Sequence, residues 1–128
     1  AETQTGFQNR SSETWIDEER LRASMACIAD ISEEQRAAFN MTHGHPPLDP
    51  GERDLLVYAE SLDDPAWLLN SPDMAVVRFA CSNGWIDRMV SLEAMASHLK
   101  LRLTADMRAN YTERWLAGKR GNWLLGEK

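Results

Sequence analysis

The stretch from Ala66 to Val90 does most to fix what this chain can become. Ala66-Trp67-Leu68-Leu69 is a short apolar run of the kind that forms a buried strand. Ser71-Pro72-Asp73 then opens a helix, and Asn83-Gly84 is a good stop for it, because glycine accepts the left-handed conformation that follows a helix. A second short strand fits Arg88-Met89-Val90, with Ser91 capping the helix that follows. Strand, helix and strand within about 25 residues form a parallel crossover unit, which is right-handed in nearly all proteins. The pattern predicts an α/β fold.

Two acidic residues stand out against that frame. Asp49-Pro50-Gly51-Glu52 starts a helix to about Ser61, with proline at the first helical position, where its missing N–H costs nothing. One and two turns on from Glu52 lie Leu55, Leu56 and Ala59; from Asp73 they are Val76, Val77 and Ala80. A carboxylate at the inward corner of a helix needs a reason, since an unpaired buried charge is costly. Asp73 also lies just past a strand end, where ligands collect in open parallel sheets. The pair suggests convergence on one metal or proton site. Taken singly, each acid has a plainer explanation, because acids are favourable at helix N-termini and Asp49 with Glu52 is itself a capping arrangement.

Length and composition set the bounds. At 128 residues the chain is expected to be one domain, 1–128, or part of one, and 43% apolar content is enough for a packed core. No apolar run approaches the ~20 residues of a membrane span. No signal peptide is visible, and Cys27 and Cys81 lack CxxC spacing, so buried thiols of a cytoplasmic protein are expected. Charge is uneven: residues 1–73 carry a net −10 and residues 74–128 a net +4. An acidic total does not suit a general nucleic-acid binder, although an acidic half beside a basic half could hold a polyanion between them.

Further helices are expected over 14–29, from the Ser32-Glu33-Glu34-Gln35 capping box to about Met41, and over 104–119, where Met107, Tyr111 and Trp115 recur at steps of four. His43-Gly44-His45-Pro46-Pro47 reads as a turn rather than a zinc pair, which would want further ligands. Trp67, Trp85 and Trp115 suit a core, and Trp123-Leu124-Leu125 is expected to dock back on the body. Arg78 and Arg88 are weak candidates for phosphate contact, since scattered arginines usually solvate a surface.

Several motifs resemble PIN-domain nucleases in order and spacing. Gly51-Glu52-Arg53-Asp54-Leu55-Leu56-Val57-Tyr58-Ala59 is similar to that family's "GE…ll..A" helix, and Trp67 to Asp73 to its next strand and acidic turn. Gly84 to Glu93 is similar to the "G…rlvsLe" strand and helix start, and Ala1-Glu2-Thr3 to the end of its "vlaE" motif. The resemblance implies a three-layer α/β/α fold with a short parallel sheet. It implies a Mg²⁺- or Mn²⁺-dependent ribonuclease with Glu2, Glu52 and Asp73 as catalytic, metal-binding acids. It also implies an RNA substrate, a homo-oligomer, and a toxin paired with a protein antitoxin. The family's leading acid-bearing strand has no counterpart before Glu2, so the chain corresponds to the C-terminal two-thirds or more of such a domain. Impaired activity and self-association through an unpaired strand edge are the expected results. The rival expectation is a non-enzymatic α/β interaction module that binds a protein partner.

Overall fold

The computed structural model describes residues 17–102 and 106–126. The backbone divides into two compact units, residues 1–30 and 31–128. In the first, helix α1 spans Glu18–Ser24 and is capped by Asp17, whose carboxylate accepts from the Arg20 N–H at 3.2 Å. The helix expected to reach Ala29 ends five residues earlier, and Cys27, expected to be buried, is exposed.

The second unit carries α2 (Glu33–His43), α3 (Pro50–Ser61), α4 (Met74–Ser82), α5 (Leu92–His98) and α6 (Glu113–Leu124). Short 3₁₀ turns occupy Ile86–Arg88 and Ala109–Tyr111. Most starts are those the sequence announces. Ser32 and Gln35 close a reciprocal capping box at 3.2 and 2.9 Å. Ser91 accepts from the Ala94 N–H at 3.0 Å.

Among the described residues the parallel sheet does not form, and the three-layer α/β expectation is corrected to a helical fold. Among the described residues, one isolated parallel bridge joins Leu69 to Met89. The Leu69 N–H donates to the Arg88 carbonyl at 2.8 Å, and the Val90 N–H to the Leu69 carbonyl at 2.9 Å. The two expected strands therefore meet, in the expected sense, but at one point only.

Side chains explain why pairing stops there. The Arg88 guanidinium lies 4.2 Å from the Trp67 ring centroid and donates to the Pro65 and Trp67 carbonyls at 3.0 and 3.1 Å. Asn70 donates to the Val90 carbonyl at 2.9 Å, and Arg120 to the Met89 carbonyl at 3.2 Å. The Met89 N–H bonds the Ile86 carbonyl at 3.2 Å. A backbone whose donors and acceptors are already satisfied has little to offer a further strand. At the Trp67–Leu69 edge expected to recruit another chain, the Trp67 carbonyl accepts from Arg88.

The core forms instead where helices α2, α3, α4 and α6 meet the bridge. Phe39, Leu56, Val76, Val77, Leu69, Met89 and Leu116 are buried together, with Trp67, Trp85, Trp115 and Trp123 half-buried against them. Cys81 joins this cluster, and burial pushes its thiol pKa up while Arg120 pulls it the other way. Leu124 and Leu125 remain exposed, so only Trp123 of the expected C-terminal dock reaches the body. Helix α6 begins at Glu113, later than the steps of four suggest. Thr112 takes an extended conformation there and its hydroxyl accepts from the Trp115 N–H, which makes it a cap rather than a helical residue.

Two polar ties join α2 to α3. Arg36 forks onto Asp54 through Nε and Nη2 at 2.9 and 2.8 Å, and also pairs with Glu33. His43 Nε2 meets a Glu60 oxygen at 2.6 Å. Early residue pairs with early residue and late with late, so α2 and α3 are not an antiparallel hairpin. Residues 44–49 must therefore carry the chain back along α2. Arg36 and His43 are about 10 Å apart along the helix axis, seven residues at about 1.5 Å each. Six extended residues reach up to ~20 Å, which suffices. Gly44 and His45 both hold left-handed backbone (φ 68° and 51°) and turn the chain, and the Leu48 N–H bonds the Pro46 carbonyl at 2.8 Å in a further tight turn at Pro47.

The Arg36 fork sets a pH dependence. Hydrogen bonding to Arg36 holds the Asp54 carboxyl below its ordinary pKa, against a desolvation that acts in the opposite direction. Asp54 thus contributes stability that is present above the unfolded-state value of about 4 and lost as pH falls through the lower folded value. The melting-temperature gap between the wild type and Asp54→Asn should be open at neutral pH and close below about pH 4. A gap independent of pH would show that the fork carries no ionic stabilisation.

Candidate functional site

Of the acids expected to form a metal centre, Glu52 and Asp73 lie at helix starts, and only Glu52 makes a side-chain capping bond there. Glu52, half-buried in the first turn of α3, accepts the Asp49 N–H at 2.9 Å. Leu56 and Ala59 on its stripe are buried, but Leu55 is exposed. Asp73 occupies the N-cap position of α4. Its N–H donates to the Ser71 hydroxyl at 3.3 Å, and that hydroxyl lies 3.4 Å from the Asp73 carboxylate. Val76, Val77 and Ala80 are buried as expected, yet Asp73 itself is exposed. Glu2 lies outside the described residues. Among the described residues, no three His, Cys, Asp or Glu side chains gather to hold a metal ion. The donor set that Mg²⁺ or Mn²⁺ would want is not assembled within them, so no chemistry is derived through a metal.

The two arginines differ. Arg88 is held by the Trp67 ring and two carbonyls, which makes it a structural residue. Arg78 is exposed on α4 and lines a cleft of about 590 Å³ between that helix and the returning segment Gly44–Leu48. His43 lies in the same cleft, its ring 4.5 Å from Phe39 and 5.0 Å from Phe79 by centroids. The His43–Pro47 turn is legible in the sequence but the cleft beside it is not, because its other wall comes from Ala75, Arg78 and Phe79 on α4.

A second feature lies on α5. Ser91 donates to a Glu113 oxygen at 2.9 Å, while Glu93 accepts the Glu113 N–H at 3.1 Å. Leu92, Met95 and Leu99, at steps of three and four, form one stripe that borders buried Ala96, with Leu92 and Met95 each 38% exposed. Leu99 is 64% exposed and Leu101, just beyond, 60%. His98, Lys100 and Arg102 are exposed among them.

The chain matches no family model, no curated protein and no solved structure. The PIN resemblance therefore rests on the motifs alone. No described helix is long and apolar enough to cross a membrane.

Proposed function

We propose that this protein is a helical interaction module that docks an acid-rich amphipathic segment of a protein partner on the exposed leucine and methionine stripe of α5. The observation that carries this is the stripe Leu92, Met95 and Leu99, continued by Leu101 and interleaved with Lys100 and Arg102. Exposed single leucines are ordinary, whereas apolar residues gathered on one helix side mark a binding surface. Burying a leucine side chain contributes about 1.5–3 kcal/mol, so this stripe can support micromolar binding after the entropic cost of association. The basic residues select an acidic partner and speed its encounter. Support for the ribonuclease alternative is thinner, since Glu52 is engaged in capping its own helix.

The test uses a synthetic helical peptide with leucines at positions i, i+3 and i+7 and glutamates elsewhere. The protein should bind it, and Leu99→Asp should weaken binding by about tenfold or more, as loss of a central apolar anchor does. Circular dichroism should show the variant folded, because Leu99 is exposed. Equal binding by wild type and Leu99→Asp would overturn the module. So would Mn²⁺-dependent RNA cleavage that Asp73→Asn abolishes, an outcome that restores the nuclease.

A further inference from the structure

The cleft beside α4 carries a separate ligand argument. Its walls come from Pro46, Leu48, Ala75 and Phe79, and its polar lining includes Arg78, His43 and His45. No Asp or Glu side chain lines it. That is notable in a chain of net charge −6, where carboxylates outnumber basic residues 20 to 14. The ion pairs among the described residues use Arg36, His43 and Arg53, and none uses Arg78. Its guanidinium is therefore available to an anion, with the planar fork that suits carboxylate and phosphate oxygens.

The cleft's frame is held from several sides. The His43 ring is fixed between Phe39 and Phe79 and tied to Glu60, so a polar edge is presented without a mobile side chain. Phe79 in turn packs against Trp85, 5.5 Å between centroids. The opposite wall is stiffened by two consecutive prolines. A volume of about 590 Å³ falls within the ~300–1,000 Å³ typical of small-ligand sites, which are mostly apolar with a few placed polar groups.

We propose that this cleft binds a small planar organic anion, its ring against the proline and phenylalanine walls and its charged group on Arg78. The binding is independent of the peptide surface on α5, and neither needs the other.

Phenyl phosphate is a suitable probe, followed by ¹H–¹⁵N chemical shifts of the full chain. Saturable shifts should concentrate at residues 43–48 and 75–83. Arg78→Gln should weaken binding about tenfold, the scale of one charge-assisted hydrogen bond, while Arg78→Lys should keep more of it. Inorganic phosphate and benzyl alcohol, which carry the charge and the ring separately, should each bind at least about tenfold more weakly. Leu99→Asp should leave phenyl phosphate binding unchanged, and Arg78→Gln should leave peptide binding unchanged. Shifts centred elsewhere, or equal affinity in Arg78→Gln, would overturn the proposal. Equal binding of inorganic phosphate would overturn the claim that the ligand is organic.

Discussion

Replacing Phe39 with alanine should lower the unfolding free energy by about 3–5 kcal/mol, the usual cost of removing a buried aromatic ring. Phe39 is 2% exposed on α2 and belongs to the cluster that includes Leu56, Val76 and Val77. Its ring also lies 5.4 Å from Phe79 and 4.5 Å from His43 by centroids, so both ring partners lose their contact at once. At about 4 °C or more per kcal/mol for a unit of this size, the melting temperature should fall by at least about 12 °C. Thermal melting followed by circular dichroism measures it. A shift of under about 2 °C would mean that the ring is not part of a close-packed core. The substitution should loosen the cleft as well, because the His43 and Phe79 rings both rest on Phe39.

The second large effect concerns how α6 is attached. Among the described residues of this helix, Leu116 is the buried one, at 3% exposure, with Trp115 and Trp123 half-buried beside it. A helix with a full apolar stripe spreads its attachment over several side chains. Here it converges on one. Leu116→Ala should cost about 2–5 kcal/mol, near the upper end if the helix cannot settle into the space left. Leu124→Ala, at a position 74% exposed on the same helix, should change stability by no more than about 0.5 kcal/mol. Urea melts of the two variants decide it. Similar losses in both would mean that α6 is held along its length rather than at Leu116.

How far the sequence could be read depended on whether a signal was local. The Ser32 and Ser91 caps, the Pro50 helix start and the buried run after Asp73 were legible because each is decided within four or five residues. Ala66 to Leu69 and Arg88 to Val90 were read correctly as partners and wrongly as strands. Whether an apolar run extends into a sheet is decided by what fills its hydrogen-bonding positions. Here that includes Arg120, far along the chain from the Met89 carbonyl it caps. Of the expected 104–119 helix, 113–119 forms and 106–112 does not, while 104–105 lie outside the described residues; the late start has a related reason, since threonine at a possible start competes with a continuing apolar repeat. The α2–α3 ties, Arg36 with Asp54 and His43 with Glu60, span 18 and 17 residues and leave no periodic trace. That is also why the cleft went unread. Its walls are brought together by the return of residues 44–49, a consequence of packing and not of any motif.

The hold of Arg88 on the Pro65 and Trp67 carbonyls has a consequence for the chain at high concentration. Ala66-Trp67-Leu68-Leu69 is short, apolar and uncharged, the composition from which cross-β stacks nucleate, and Leu68 projects into solvent. A segment of that kind needs free backbone oxygens to template an incoming copy. Arg88 occupies the Trp67 oxygen, and that of Pro65 just before the run, with one guanidinium while covering the neighbouring indole, and it brings a positive charge that a stacked second molecule would have to bury. It is a gatekeeper supplied from across the bridge, in place only once Leu69 and Met89 have found each other. The folded state thus adds a guard to the one that Asp63-Asp64-Pro65 already supplies from the flank of the run.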